Sequence, residues 1–166
     1  MKILDLVDDV RSGCKSVLTT MTLEEYKKLS FFAFNNNGNI DGQRSVIKRS
    51  STAAKIRKRM ADDFRKGAIF PQVVLGVLFS TENMQNLDES KFYMLLESVN
   101  EGQISIIDGM QRSNIYFENY EDNKQQKIRV EFWCSDASTK LLYRMLVLNT
   151  GQVPWNTRRQ LEVIFD

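Results

Sequence analysis

The sequence predicts a single mixed α/β domain in which a β-sheet is covered by helices, and three observations predict it. Short apolar runs rich in β-branched residues, such as Val73, Val74, Leu75 and Val77, are separated by amphipathic stretches with helical spacing. Residues 127–134 alternate strictly, with Ile128, Val130, Phe132 and Cys134 on one face. The chain has 166 residues, 42% of them hydrophobic, enough for one sizeable core and too few for two.

Taken in order, residues 1–21 place Ile3, Val7, Val10, Cys14, Val17 and Met21 at spacings of four and three. That is a heptad seam, and with Leu6 it widens to a core-facing stripe. An N-terminal helical segment over residues 1–30 is expected, docked on the domain that follows or pairing with a second copy in a homo-oligomer. Thr22 and Glu25 then form a capping-box pattern for a short helix through about Leu29. Phe31, Phe32 and Phe34 suggest a buried strand or turn, and the run 35–39 with Asp41-Gly42 is loop.

A helix is predicted over residues 52–66, burying Ala53, Ile56, Met60 and Phe64 and ending at Gly67. Residues 73–79 read as a strand buried on both faces, 88–99 as a helix and 104–107 as a second strand. A helix begins around Gln111, the alternating strand covers 127–134, and a helix from Ser135 carries Leu141, Leu142, Met145 and Leu148 to a stop at Asn149-Thr150-Gly151. Pro154-Trp155-Asn156 leads into a last helix of about two and a half turns. That helix reaches Asp166 without a capping signal, so a longer parent protein with a C-terminal effector domain is one expectation.

Composition excludes several chemistries. With no histidine, neither a Ser-His-Asp triad, a Cys-His pair nor a His-containing zinc site can be built. Cys14 and Cys134 are too few for a thiolate metal site, so no metal-ligand set is expected, and buried thiols in a reducing cytosol are the preferred reading. No apolar run approaches the roughly 20 residues that span a bilayer, and Asp5, Asp8 and Asp9 interrupt any signal-peptide core. A cytoplasmic protein without a membrane partner is expected. Net charge is +2, but nine Lys or Arg against two Asp between Arg44 and Lys66 make that segment +7 and leave −5 elsewhere. Its exposed face would carry Lys55, Lys58 and Arg59, the candidate DNA contacts. Arg49 and Arg57 read as surface residues, and Asp62 and Asp63 as charges offsetting neighbouring arginines rather than metal ligands.

The chemistry-bearing segment is 104–112, a buried strand, a tight turn and a helix start in nine residues. In α/β sheets ligands gather at the carboxyl ends of strands. Gly109 allows close backbone approach, the helix start offers free N–H groups and a positive dipole end, and Arg112 can fork onto phosphate oxygens. Asp108 can hold a metal, orient Arg112 or accept a proton. The plain alternative is an N-capping aspartate, a turn glycine and a surface ion pair.

Asp108-Gly109-Met110-Gln111-Arg112 resembles the Asp-Gly-Gln-Gln-Arg or Asp-Gly-Gln-His-Arg signature of a ParB/sulfiredoxin-like superfamily. Its branches include GmrSD-type modification-dependent restriction enzymes, SspE-type phosphorothioate-sensing defence proteins and DndB-type regulators of DNA sulfur modification. Two further blocks fit in order: Gln43-Arg44 ahead of a helix and the Phe70-Pro71 strand start, and residues 149–154, Asn-Thr-Gly-Gln-Val-Pro. Met110 stands where the family has Gln, and Trp155 where a Leu usually follows Pro. The resemblance implies a ParB/sulfiredoxin-like domain over residues 31–166 that binds a nucleoside triphosphate with Mg2+ and, in some members, hydrolyses it. It also implies a role in DNA modification or anti-phage defence, with a DNA-binding regulator as alternative. On this resemblance Asp108 and Arg112 are the catalytic candidates. Gln43, Arg44, Gly109, Gln111, Asn149 and Gly151 are the nucleotide-binding ones.

Overall fold

The computed structural model describes residues 1–40 and 51–150, with side-chain surroundings for 1–40 and 54–147. Five strands form one mixed sheet: β1 (Lys2–Asp9), β2 (Cys14–Thr22), β3 (Val73–Leu78), β4 (Ile104–Asp108) and β5 (Lys127–Ser135). Their order is β1-β2-β5-β3-β4, with β5 and β3 parallel and every other pair antiparallel. Seven helices join them: α1 (Leu23–Asn35), α2 (Ser51–Arg65), α3 (Thr81–Gln85), α4 (Glu89–Ser98), α5 (Met110–Glu118), α6 (Tyr120–Asn123) and α7 (Ser138–Thr150).

The strand pattern explains the two-layered core. Val73, Leu75 and Val77 alternate with Val74 and Leu78, so β3 buries one set under α1, α2, α4 and α5 and offers the other to α7. Ile128, Val130, Phe132 and Cys134 all join the larger layer, as their alternation requires. Trp133, on the opposite face, joins Leu141 and Met145 of α7. Gly76 is needed under that helix: a Cβ there would come within 2.8 Å of Leu141 Cδ1 and 3.0 Å of Ile107 Cδ1. Cys14 and Cys134 are buried free thiols, one in each layer.

The expected N-terminal helix is instead a β-hairpin, so residues 1–21 form no heptad seam. Residues four apart share a face in a strand as well as in a helix, so Ile3 with Val7 and Val17 with Met21 satisfy either pattern. Thr19, Thr20 and Thr22 favour the strand. Gly13, at φ +68°, donates its amide to the Asp9 carbonyl (2.8 Å) and closes the turn. A bulge between Ile3 and Asp5 shifts register, so Ile3 and Leu6 both pack on the core while Val7 is exposed. The hairpin is built into the sheet through β2 and β5, and the expected boundary at residue 30 falls inside α1.

Helix α1 starts where its capping box requires: Thr22 Oγ1 accepts the Glu25 amide (3.2 Å) and Glu25 accepts the Thr22 amide (2.8 Å). It continues past Leu29 to take in Phe31, Phe32 and Phe34, which are helical rather than extended. Phe34 and Phe31 pack edge-on against Phe117 of α5, with ring centroids 4.9 and 5.6 Å apart. Helix α4 begins with the Asp88 side chain accepting the Lys91 amide (2.7 Å). Asp62 and Asp63 pair with Arg65 and Arg59 along α2, as neighbouring offsets. The expected final helix beyond Pro154 lies outside the described residues. No helix among the described residues is long and apolar enough to cross a membrane.

Val17 is fully buried whereas Val10, on the hairpin tip, is 92% exposed. Val17→Ala is therefore expected to cost about 1.5–3 kcal/mol in urea unfolding, and Val10→Ala less than about 0.5 kcal/mol. Similar costs at the two positions would contradict the hairpin.

Candidate functional site

Strand β4 ends at Asp108, and the chain turns at Gly109 into α5. Gly109 adopts φ 112° and ψ 17°, a left-handed conformation that costs any residue with a Cβ. Its surroundings are as restrictive as its backbone: a Cβ would lie 2.9 Å from Val73 Cγ1 and 3.3 Å from Arg112 Nη2. Being a glycine, the N-cap residue offers no side-chain oxygen to the helix start. The first intrahelical bond runs from the Ser113 amide to the Gly109 carbonyl (2.8 Å), so the amides of Met110, Gln111 and Arg112 precede the helical ladder. These three donors and the positive end of the helix dipole lie beside the Asp108 carboxylate.

Asp108 is half-exposed and Arg112 mostly covered. Arg112 Nη2 donates to Asp108 Oδ2 (2.7 Å) and to the Gln72 carbonyl (3.2 Å), tying α5 to β4 and to the approach of β3. Arg112 Nε is buried without a hydrogen-bond partner among the described residues. Asp108 thus orients Arg112 and does not cap the helix. Gln111 is half-buried in the same turn, and Met110 is packed into the larger core layer.

A buried relay supports this turn from below. Ser113 Oγ donates to the Gly109 carbonyl (3.0 Å), so the 2.6 Å bond between Ser113 Oγ and Tyr26 Oη has tyrosine as donor. Tyr26 is fully buried in α1, and that burial pushes its phenol up to about 12. The donor proton is held through neutral pH. Its ring stacks on Phe117 with centroids 5.7 Å apart. Sequence reasoning named neither Tyr26 nor Ser113, and only the i, i+4 placement of Gly109 and Ser113 could have suggested half of the relay.

Of the remaining candidates, Gln43, Arg44 and Gly151 lie outside the described residues, as does Arg49. Asn149 falls in the last turn of α7, but its side chain lies outside the described residues. The α7 residues Leu141 and Met145 pack with Val74, the partner of Asp108 in the β3–β4 ladder. Lys55, Lys58 and Arg59 are exposed on α2, and Arg59 is paired with Asp63. Among the described residues no cluster of three or more Asp, Glu or Cys side chains could hold a metal ion.

If the relay fixes the turn, Tyr26→Phe and Ser113→Ala are coupled. Each single variant should lose about 1–2 kcal/mol from a disrupted buried hydrogen bond, and a double-mutant cycle should show an interaction of at least about 0.5 kcal/mol. Additive losses would show that the two hydroxyls act independently.

Comparison with protein-family models, with curated proteins and with solved structures found no significant match to this chain.

Proposed function

We propose that this chain is a nucleoside-triphosphate-binding domain whose phosphates seat on the first turn of α5, between the amides of residues 110–112 and Arg112. The observation that carries the reading is the strand-to-helix turn itself: a helix start with no side-chain cap, at the carboxyl end of β4, beside a carboxylate–guanidinium pair. Free amides at a helix start bind phosphate oxygens through hydrogen bonds and the helix dipole. An incoming phosphate competes with Asp108 for Arg112. Displaced from Arg112, Asp108 becomes available to a magnesium ion carried by the triphosphate or to an attacking water. Gln111 contacts the ligand from the same turn. Gln43, Arg44, Asn149 and Gly151 complete the site, as the resemblance to ParB/sulfiredoxin-like domains implies. That resemblance also supports a setting in DNA modification or anti-phage defence.

A second reading, a DNA-binding regulator, rests on a different observation. Lys55 and Lys58 are exposed on the same helix as Arg59 and have no salt bridge among the described residues. Reversing the charge of all three should lower duplex affinity and flatten its salt slope by about 0.9 per lost phosphate contact. A wild-type chain that binds no duplex even at low salt removes this reading.

For the nucleotide site, a thermal-shift panel of ATP, GTP and CTP with magnesium is expected to show one strong ligand, which at 100 times Kd adds about 2.7 kcal/mol. Arg112→Ala and Asp108→Ala should fold and lose that ligand-dependent gain, whatever their own melting temperatures. Wild-type responses in either variant would reject the site.

A further inference from the structure

At the opposite end of the sheet, where β2 begins and β5 ends, the tip of the N-terminal hairpin meets α7 around a cavity of about 400 Å³. We propose that this cavity is a second, separate anion site that takes a small phosphorylated ligand, a phosphomonoester with a compact organic body.

The charge balance points to an anion. Three cations line the cavity, Arg11, Lys140 and Arg144, against one carboxylate, Asp9. Lys140 is neutralised from behind by Asp136, at 2.8 Å. Asp9 is occupied by its own turn: it accepts Ser12 Oγ (2.7 Å) and the Arg11 amide (3.2 Å), and the Ser12 bond chiefly holds its carboxyl below the usual range. Arg144 forms no salt bridge among the described residues, although the Asp9 carboxylate acts on it through space. Its guanidinium carbon sits 3.9 Å from the centroid of the buried Trp133 ring, and its Nε is covered with no hydrogen bond among the described residues. Stacking on the indole fixes the guanidinium plane without cancelling its charge. The protein supplies a positioned cation whose facing carboxylate, Asp9, is committed by hydrogen bonds to its own turn, an arrangement that suits a forked phosphate contact.

The other walls suit the remainder of such a ligand. Arg11 Nη2 donates to Tyr143 Oη (2.9 Å), so the two are held together across the mouth. The Tyr143 ring and Val147 are both substantially exposed and give apolar surface one turn apart on α7. A cavity of this volume holds a small organic phosphate rather than a bare ion alone. Neither Asp108 nor Arg112 lines it, and Asp108 pairs with Val74 at the far end of β3.

Phenyl phosphate is a suitable probe, with inorganic phosphate and phenylacetate separating the contributions of body and charge. In 1H–15N spectra of the full chain, including the arginine Nε–Hε region, phenyl phosphate is expected to shift Arg11, Ser12, Lys140 and Arg144 saturably. Phosphate alone should act at the same residues more weakly, and phenylacetate more weakly than phenyl phosphate. Arg144→Gln should weaken binding at least about tenfold, the scale of a lost charged hydrogen bond; if it does not fold, Arg11→Gln, at an exposed position, should weaken binding in its place. Arg112→Ala should leave the affinity unchanged, which separates this site from the one at α5. The proposal is overturned by an absence of saturable shifts, by shifts confined to the first turn of α5, or by undiminished binding in the folded variant. A DNA duplex that shifts these residues while phenyl phosphate does not would also overturn it.

Discussion

The carbonyl of Gly109 is the point on which the architecture of the turn depends. It receives the Ser113 amide and the Ser113 hydroxyl, and that hydroxyl is held by the buried phenol of Tyr26. One acceptor thus joins the end of β4 to the start of α5 and, through Tyr26, to α1. Tight packing of Gly109 against Val73 adds β3, and the Arg112 bond to Gln72 reinforces the same junction. A backbone in the left-handed region is retained because these contacts over-determine it. The consequence is a fixed helix start whose first amides precede the helical ladder, next to a carboxylate–guanidinium pair.

Much of this was legible in sequence, for identifiable physical reasons. Strand β5 was readable because its first half is buried on one face only, which imposes alternation, and β3 because both of its faces are covered. Thr22, Glu25 and Asp88 announced helix starts because capping is a local interaction. The hairpin was not legible: spacings of four fit a helix and a strand alike, and the bulge at Ile3 to Asp5 broke the alternation that would have distinguished them. Phe31, Phe32 and Phe34 looked like strand or turn because aromatic residues favour sheets, yet the ring partner of Phe31 and Phe34, Phe117, lies far along the chain.

The candidate site divides along the same line. Asp108, Gly109 and Arg112 could be read together because strand, turn and helix are contiguous. The Tyr26–Ser113 bond spans 87 residues, and the meeting of Arg11 with Tyr143 spans 132, so both depend on tertiary structure. The two basic features also differ in kind. Arg112 is bound to the Asp108 carboxylate, whereas Arg144 rests on an indole. Helix α7 carries Arg144, and its Leu141 and Met145 pack with Val74, the ladder partner of Asp108.

The proposed seat of the phosphate oxygens, the first turn of α5, is open to a direct test by backbone amide shifts during titration with magnesium-bound nucleoside triphosphate. Saturable downfield shifts are expected at Met110, Gln111 and Arg112, with a smaller change at Ser113, whose amide is already committed to Gly109. A ligand that binds tightly while those three amides stay unmoved would contradict it.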